Sequence, residues 1–188
     1  MESTLSFIAS KGIDRVTVST IARLSKVSRT WIYKYIGSSK DSLIRNATLH
    51  IGKLFAEVES RPEINTREEL LQSLAWGNRQ YVHNLKRYPW IPKIFFHYSH
   101  SKNLVGTAVQ EVLSTYYKIL AEEIEAGLGI PKKEARRRAE MYTAMKMGAG
   151  YWWSGTELPA EQKKESFLIQ KLDAMIAVIV ADDDSSTH

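Results

Sequence analysis

The sequence predicts an all-α protein of about nine helices, with three short helices in residues 1–45 and a longer helical body behind them. Three observations support this. Only 10 glycines and 5 prolines interrupt 188 residues, no alternation of apolar and polar residues runs long enough for a strand, and apolar residues recur at the three-to-four spacing of helix faces. With 44% hydrophobic residues the chain can fill a core, so it reads as a soluble globular protein of one helical domain plus a smaller one.

The elements follow in order. Helix one covers residues 3–11, burying Leu5, Ile8 and Ala9, and Gly12 suits a left-handed C-terminal cap. Helix two covers 17–24: Thr17 accepts a backbone N–H bond as its cap, and Val18, Ile21 and Ala22 form the buried stripe. After the turn Ser25-Lys26-Val27, Ser28 caps a third helix that reaches Tyr35. Ser38 or Ser39 starts helix four, Lys40 to Glu59, in which Leu43, Ala47, Ile51, Leu54 and Val58 keep the helical period until Pro62 ends it.

Helix five starts at a Thr66 cap with Glu69 at the reciprocal capping-box position, and sets Leu70, Leu74, Tyr81 and Leu85 on one side. The prolines of Tyr88-Pro89-Trp90-Ile91-Pro92 break regularity before a short aromatic helix over 93–100. Helix seven, Leu104 to Leu128, repeats Val105, Val109, Val112, Tyr116, Ile119 and Ile124 and ends at Gly129 and Pro131. Helix eight covers Lys132 to Trp153 and helix nine Ala160 to Ala181, with Asp182 to His188 as a charged tail. Residues 174–180 of helix nine are apolar nearly all round, and helix eight has Met141, Met145, Ala149 and Trp152 on one face with Ala144, Met147, Gly148 and Tyr151 elsewhere. A helix without a polar face is covered on both sides, so one face of each is available to a partner subunit.

Composition bounds the function. The absence of cysteine excludes disulfides and cysteine-based metal sites and suits a reducing cytoplasm. Residues 1–15 are broken by Glu2, Lys11, Asp14 and Arg15 and show no secretory signal, and the densest apolar run, residues 174–181, is too short to span a bilayer. The net charge of +5 is localised: of 26 basic and 21 acidic residues, eight and three lie in residues 1–45, so the remainder balances at 18 of each. A basic head on a neutral body suggests a polyanion-binding module, because neutralised phosphates supply most non-specific DNA affinity.

The segment Val27 to Ile36 gives that head a reader. Apolar Val27, Ile32 and Ile36 anchor a short helix, which leaves Arg29, Thr30, Tyr33 and Lys34 to project outward with donors suited to base edges and phosphate. Lys40, in the first turn of helix four, opposes its own helix dipole, an objection that an adjacent phosphate removes.

Thr17-Val18-Ser19-Thr20-Ile21-Ala22, then Val27-Ser28, then Ile32-Tyr33-Lys34-Tyr35-Ile36, and finally Ser39-Lys40-Asp41-Ser42-Leu43 resemble the TetR family of one-component bacterial transcriptional regulators in order and nearly in spacing. The resemblance covers about forty residues. It implies a helix-turn-helix DNA-binding domain over 1–45 and an effector-binding and dimerisation domain over 46–188. It places Arg29, Thr30, Trp31, Tyr33 and Lys34 in the major groove, with Thr17, Tyr35 and Lys40 on the phosphate backbone and Ser28 in the same surface. Two positions depart from the pattern. Lys26 replaces a turn glycine, so it either bears a left-handed backbone or contacts phosphate; Trp31 replaces a smaller residue, so it either meets thymine methyls or packs on a neighbouring helix.

A dimer follows from the resemblance and from geometry, since one short helix reads few base pairs and two heads on a twofold axis read a palindrome. Tyr142, Met145, Ala149, Trp152, Leu168, Leu172, Met175 and Ile179 are the expected interface. The resemblance also implies a repressor released from its operator by a small apolar or aromatic effector. Trp76, Tyr81, Trp90, Phe95, Phe96, Tyr98, Tyr116, Tyr117 and Trp152 are candidates for its pocket, and Asn78, Gln80, His83 or His97 for its orientation.

Competing readings are weaker. His97 and His100 lack a third ligand for a metal, and the cluster Lys132, Lys133, Arg136, Arg137 and Arg138 is interleaved by Glu134 and Glu140, as on a solvated helix face. No phosphate-cradling glycine loop, nucleophile elbow or carboxylate pair appears, so neither an enzyme nor a cofactor is expected. The alternatives are a DNA-binding regulator whose body docks a protein or needs no ligand and, less well supported, an all-helical enzyme built around the aromatic residues.

Overall fold

The computed structural model describes residues 1–56, 63–155 and 157–181, with the side chains of residues 51–56 left out. Among them are nine α-helices and no strand: α1 (Glu2–Lys11), α2 (Val18–Leu24), α3 (Arg29–Tyr35), α4 (Lys40–Ala56), α5 (Arg67–Arg87), α6 (Ile91–Tyr98), α7 (Leu104–Leu128), α8 (Lys132–Gly155) and α9 (Glu165–Val180). The all-α expectation holds. The expected contributions of Ile51, Leu54 and Val58 to α4, its end at Pro62 and the charged tail lie outside the described residues.

Packing divides the chain into two compact units, Met1–Ser60 with Tyr88–Tyr116, and Arg61–Arg87 with Tyr117–His188. In the first, α1 packs on α2, α4 and α6, and α2 on α3, around Leu5, Ile8, Ile21, Ile32, Leu43, Ile44 and Ile94. Expected Ala9 is only half-buried, and Thr4 takes the inner position instead. Gly12 sits at φ 86°, ψ 158°, a region open to glycine alone, and turns the chain into a short 3-10 turn, Ile13–Arg15, that the helical periodicity did not reveal. The phenol of Tyr98 in α6 accepts the Ile13 N–H at 3.2 Å, and the Tyr88 hydroxyl donates to Glu2 Oε1 at 3.2 Å.

In the second unit α5, α8 and α9 enclose Leu70, Leu74, Leu85, Ala139, Tyr142, Leu168, Leu172 and Ile179. The α5 capping box forms as expected: Thr66 Oγ1 accepts the Glu69 N–H at 3.2 Å and Glu69 Oε2 accepts that of Thr66 at 3.0 Å. The Glu69 carboxyl also accepts the Asn65 N–H, and these bonds hold it below the usual carboxylate range. Gly150 lets the Tyr81 ring approach α8 so closely that any β-carbon there would collide with the phenol.

Several helix boundaries differ from expectation: α6 ends at Tyr98 and not residue 100, α8 ends at Gly155 and not Trp153, and two helix starts shift. α6 starts at Ile91, not residue 93, because Pro92 fits a first helical turn, where its missing N–H is no loss. α9 starts at Glu165, not Ala160. The Pro159 carbonyl accepts the Gln162 and Lys163 N–H groups, and the Trp153 indole donates to Gln162 O at 3.0 Å, so residues 160–164 form a turn held from α8.

Candidate nucleic-acid interface

The helix-turn-helix is built by two caps and one strained residue. Thr17 Oγ1 accepts the Thr20 N–H at 3.1 Å and opens α2; Ser28 Oγ accepts the Trp31 N–H at 3.0 Å and opens α3. Between them Lys26 has φ 54°, the one positive-φ residue other than glycine among the described residues. The left-handed backbone expected at this position is therefore present, at the steric cost that glycine would avoid. At the far end, Asn46 Nδ2 donates to Ile36 O at 3.2 Å and ties the last turn of α3 to α4.

Within α3 the helical period separates roles. Ile32 is buried, and Thr30 and Lys34 stand opposite it; Arg29 and Tyr33 occupy one flank, Trp31 and Tyr35 the other. Tyr33 is 48% exposed and Tyr35 61%, so neither phenol is a core group. The Trp31 ring is 46% exposed and its centroid lies 5.0 Å from that of Tyr35 on the same helix, and the Lys34 ammonium lies 5.2 Å from the same tyrosine ring. Ser39 caps α4 by accepting the Ser42 N–H at 3.0 Å, and Lys40 Nζ donates to Asp14 O at 3.2 Å. That bond uses one of three ammonium donors.

Among the described residues, none of the eight basic side chains of residues 1–45 forms an ion pair. The expected DNA-facing residues Thr17, Lys26, Ser28, Arg29, Thr30, Trp31, Tyr33, Lys34 and Tyr35 are all exposed, and Lys40 is partly so. The arrangement presents unneutralised cations, hydroxyl donors and an aromatic pair on one short helix and its flanks.

The basic cluster of α8 is different. Arg136 pairs with Glu140 at 2.6 Å, and Glu134 pairs with both Arg137 and Arg138 at 2.9 Å. Bonds from Arg137 and then Arg138 hold the Glu134 carboxyl at about 2. The solvated-face expectation is corrected at Arg138, which is buried: its guanidinium donates to Ile179 O at 2.8 Å and Ala181 O at 2.7 Å, while Arg67 donates to Val180 O at 2.7 Å. Two arginines thus satisfy the open carbonyls at the end of α9. Only the density of carbonyls at a helix end could have signalled this, and pairing them with Arg138 requires the fold.

The expected interface residues separate into two sets. Tyr142, Leu168, Leu172 and Ile179 are fully buried within the chain itself and are corrected to core residues. Tyr142 donates to Asn78 Oδ1 at 2.5 Å, whose amide donates to Asp173 Oδ1 at 2.9 Å. Met145, Ala149 and Met175 are half-buried and Trp152 is exposed, beside Met141, Ala144, Tyr151, Ala174, Ala177 and Val178, which face outward from α8 and α9.

The aromatic residues expected in a pocket also divide. Trp90 and Phe95 line a cavity of about 20 Å³ with Ile91, Ile94, Val109, Val112 and Leu113, room for about one water molecule. Tyr81 is buried under Lys146, whose ammonium donates to Gly77 O at 2.9 Å and lies 5.1 Å from the Tyr81 ring centroid. Tyr117 stacks with Arg136 at 4.9 Å, and Tyr116 is half-buried. Tyr98 holds the 3-10 turn, and burial pushes its phenol above the ordinary tyrosine range although the bond from the Ile13 N–H acts in the opposite direction. Trp76, Phe96 and Trp152 have exposed rings. Of the orienting groups, Asn78 is buried, whereas Gln80, His83 and His97 are exposed. His97 Nδ1 sits 2.9 Å from Lys93 O, and no group of three metal-binding side chains occurs among the described residues.

Comparison with family models and with curated protein sequences gives no match. Solved structures do match in fold. A TetR-like transcriptional regulator from Rhodococcus sp. RHA1 superposes with a TM-score of 0.68 at 14% identity, over 96% of this chain and 93% of that one. The fatty acid degradation regulator FadR from Bacillus halodurans gives 0.69 at 17% identity, over 97% and 93%. A member of the TetR transcriptional regulator family from Streptomyces coelicolor A3 gives 0.64 at 14% identity, over 95% and 88%. At these identities the likeness is one of fold: the described helices match the TetR-like fold.

Proposed function

We propose that this protein is a one-component transcriptional regulator, a repressor that binds a palindromic DNA operator as a homodimer and is released by a small apolar or aromatic effector. The observation that carries the reading is the α3 surface, where Arg29, Thr30, Tyr33 and Lys34 are exposed and the neighbouring cations are free of ion pairs among the described residues. Cations without carboxylate partners are the groups that release counterions from a phosphate backbone, and outward donors on a short helix suit base edges. Residues 1–45 serve as the DNA-binding domain and residues 46–188 as the effector-binding and dimerisation domain. Tyr81, Trp90, Phe95, Tyr116 and Tyr117 remain the aromatic candidates for the effector.

The dimer reading is supported by what α8 and α9 leave exposed. Met141, Ala144, Met145, Gly148, Tyr151 and Trp152 recur at spacings of three and four on one face of α8, beside Ala174, Ala177 and Val178 on α9. Small and large apolar residues in such rows suit four-helix packing around a twofold axis. A monomer by sedimentation at micromolar concentration removes the dimer.

Selection of bound sequences from random duplexes, followed by a salt titration on the winner, tests the whole reading. Enrichment of a palindrome and an affinity that falls steeply with salt are expected; failure to enrich any palindrome overturns it. Replacing Tyr33 and Lys34 together by Ala should weaken binding on the order of 100-fold, with an unchanged helical circular dichroism spectrum.

A further inference from the structure

The α3 surface carries one large side chain that cation and hydroxyl chemistry does not explain. Trp31 is 46% exposed, and it stands four residues before Tyr35 on the same flank, with the two rings tilted by 42°. The indole is braced along its own helix, so it is preset in position and loses little freedom when something docks against it. Among the described residues its ring N–H donates to no partner. Arg29, Thr30, Tyr33 and Lys34 offer donors; Trp31, backed by Tyr35, offers the broad apolar face of this helix.

We propose that Trp31 reads a thymine in each operator half-site by laying its indole against the 5-methyl group, which rests on the operator reading given above. The match is chemical. Of the four bases, thymine alone shows a methyl group on its major-groove edge, next to the O4 acceptor. An indole supplies an apolar face for the methyl and a single N–H for an acceptor. Cytosine meets the same side chain with an amino donor and no methyl, and a purine with no apolar group at all.

The test uses the full-length protein and the duplex recovered by selection. Each thymine of the half-site is replaced in turn by deoxyuridine, which removes the methyl and keeps base pairing, and affinity is measured for the wild type and for Trp31→Ala at low salt. One position should weaken about fourfold per half-site in the wild type, the effect of one buried methyl group. Trp31→Ala should lose sensitivity at that position while its response to the other replacements is unchanged, and Trp31→Phe should keep part of it. A half-site without thymine, deoxyuridine replacements that are all neutral, or a sensitivity that persists in Trp31→Ala overturns this inference and leaves the operator reading standing. If no duplex is enriched, both are overturned.

Discussion

The basic residues around α2 and α3 and the three arginines Arg136, Arg137 and Arg138 of α8 are in opposite physical states. Around α2 and α3, Lys26, Arg29 and Lys34 are exposed and form no ion pairs among the described residues. On α8, Arg136, Arg137 and Arg138 are bound to carboxylates one helical turn away, and Arg138 is further buried against the carbonyl end of α9. The difference teaches that a positive cluster identifies a polyanion site only when the protein leaves its charges unsatisfied. Where carboxylates and carbonyls already take the donors, the same residues are structural.

This comparison can be broken in order of effect. Arg138→Ala should destabilise the protein by about 3 kcal/mol in a denaturant titration, since it strands two helix-end carbonyls and half of the Glu134 pairing. It should leave DNA affinity unchanged at temperatures where the variant is folded, and a loss of affinity there would place the α8 cluster in the binding surface. In the head the sign reverses. Lys26→Gly should stabilise the fold by about 0.5–1 kcal/mol, because the left-handed turn suits glycine, while lowering the salt dependence of DNA binding by about one unit per subunit. A cost in stability would mean that the lysine is structural.

The smallest effect is acid dependence. The folded Glu134 carboxyl lies at about 2, below its ordinary 4.5, so its pairing with Arg137 and Arg138 adds stability that is complete above pH 4.5 and is lost as pH falls through about 2. Glu134→Gln should therefore melt below the wild type at neutral pH and together with it near pH 2. A gap that is constant with pH would show that packing, and not charge, separates the two. DNA binding should follow neither curve.

Much of the fold was legible because its signals are local. Thr17, Ser28 and Thr66 cap helices as their sequence positions require, and α7 keeps the bounds set by its apolar repeat and the following Gly129. The start of α9 was not legible, because the Trp153 indole holds Gln162 from another helix. The exposed α3 residues were also legible, since a seven-residue helix with one apolar anchor, Ile32, has little choice of face. The outer faces of α8 and α9 were not, because every face of an apolar helix looks alike until its neighbours are known. Leu168, Leu172 and Ile179 went inward, Ala174, Ala177 and Val178 outward.

By itself the sequence determined the all-α class, the basic head and the exposed face of α3, because helix periods, caps and charge position are written along the chain. Tertiary structure alone decided which charges stay available. Arg138 is silenced by carbonyls some forty residues away, and Lys40 donates to Asp14 across the turn that opens α2. The physical reason is that a side chain's charge is fixed by its covalent structure, whereas its partners are supplied by whatever the fold brings within hydrogen-bond distance.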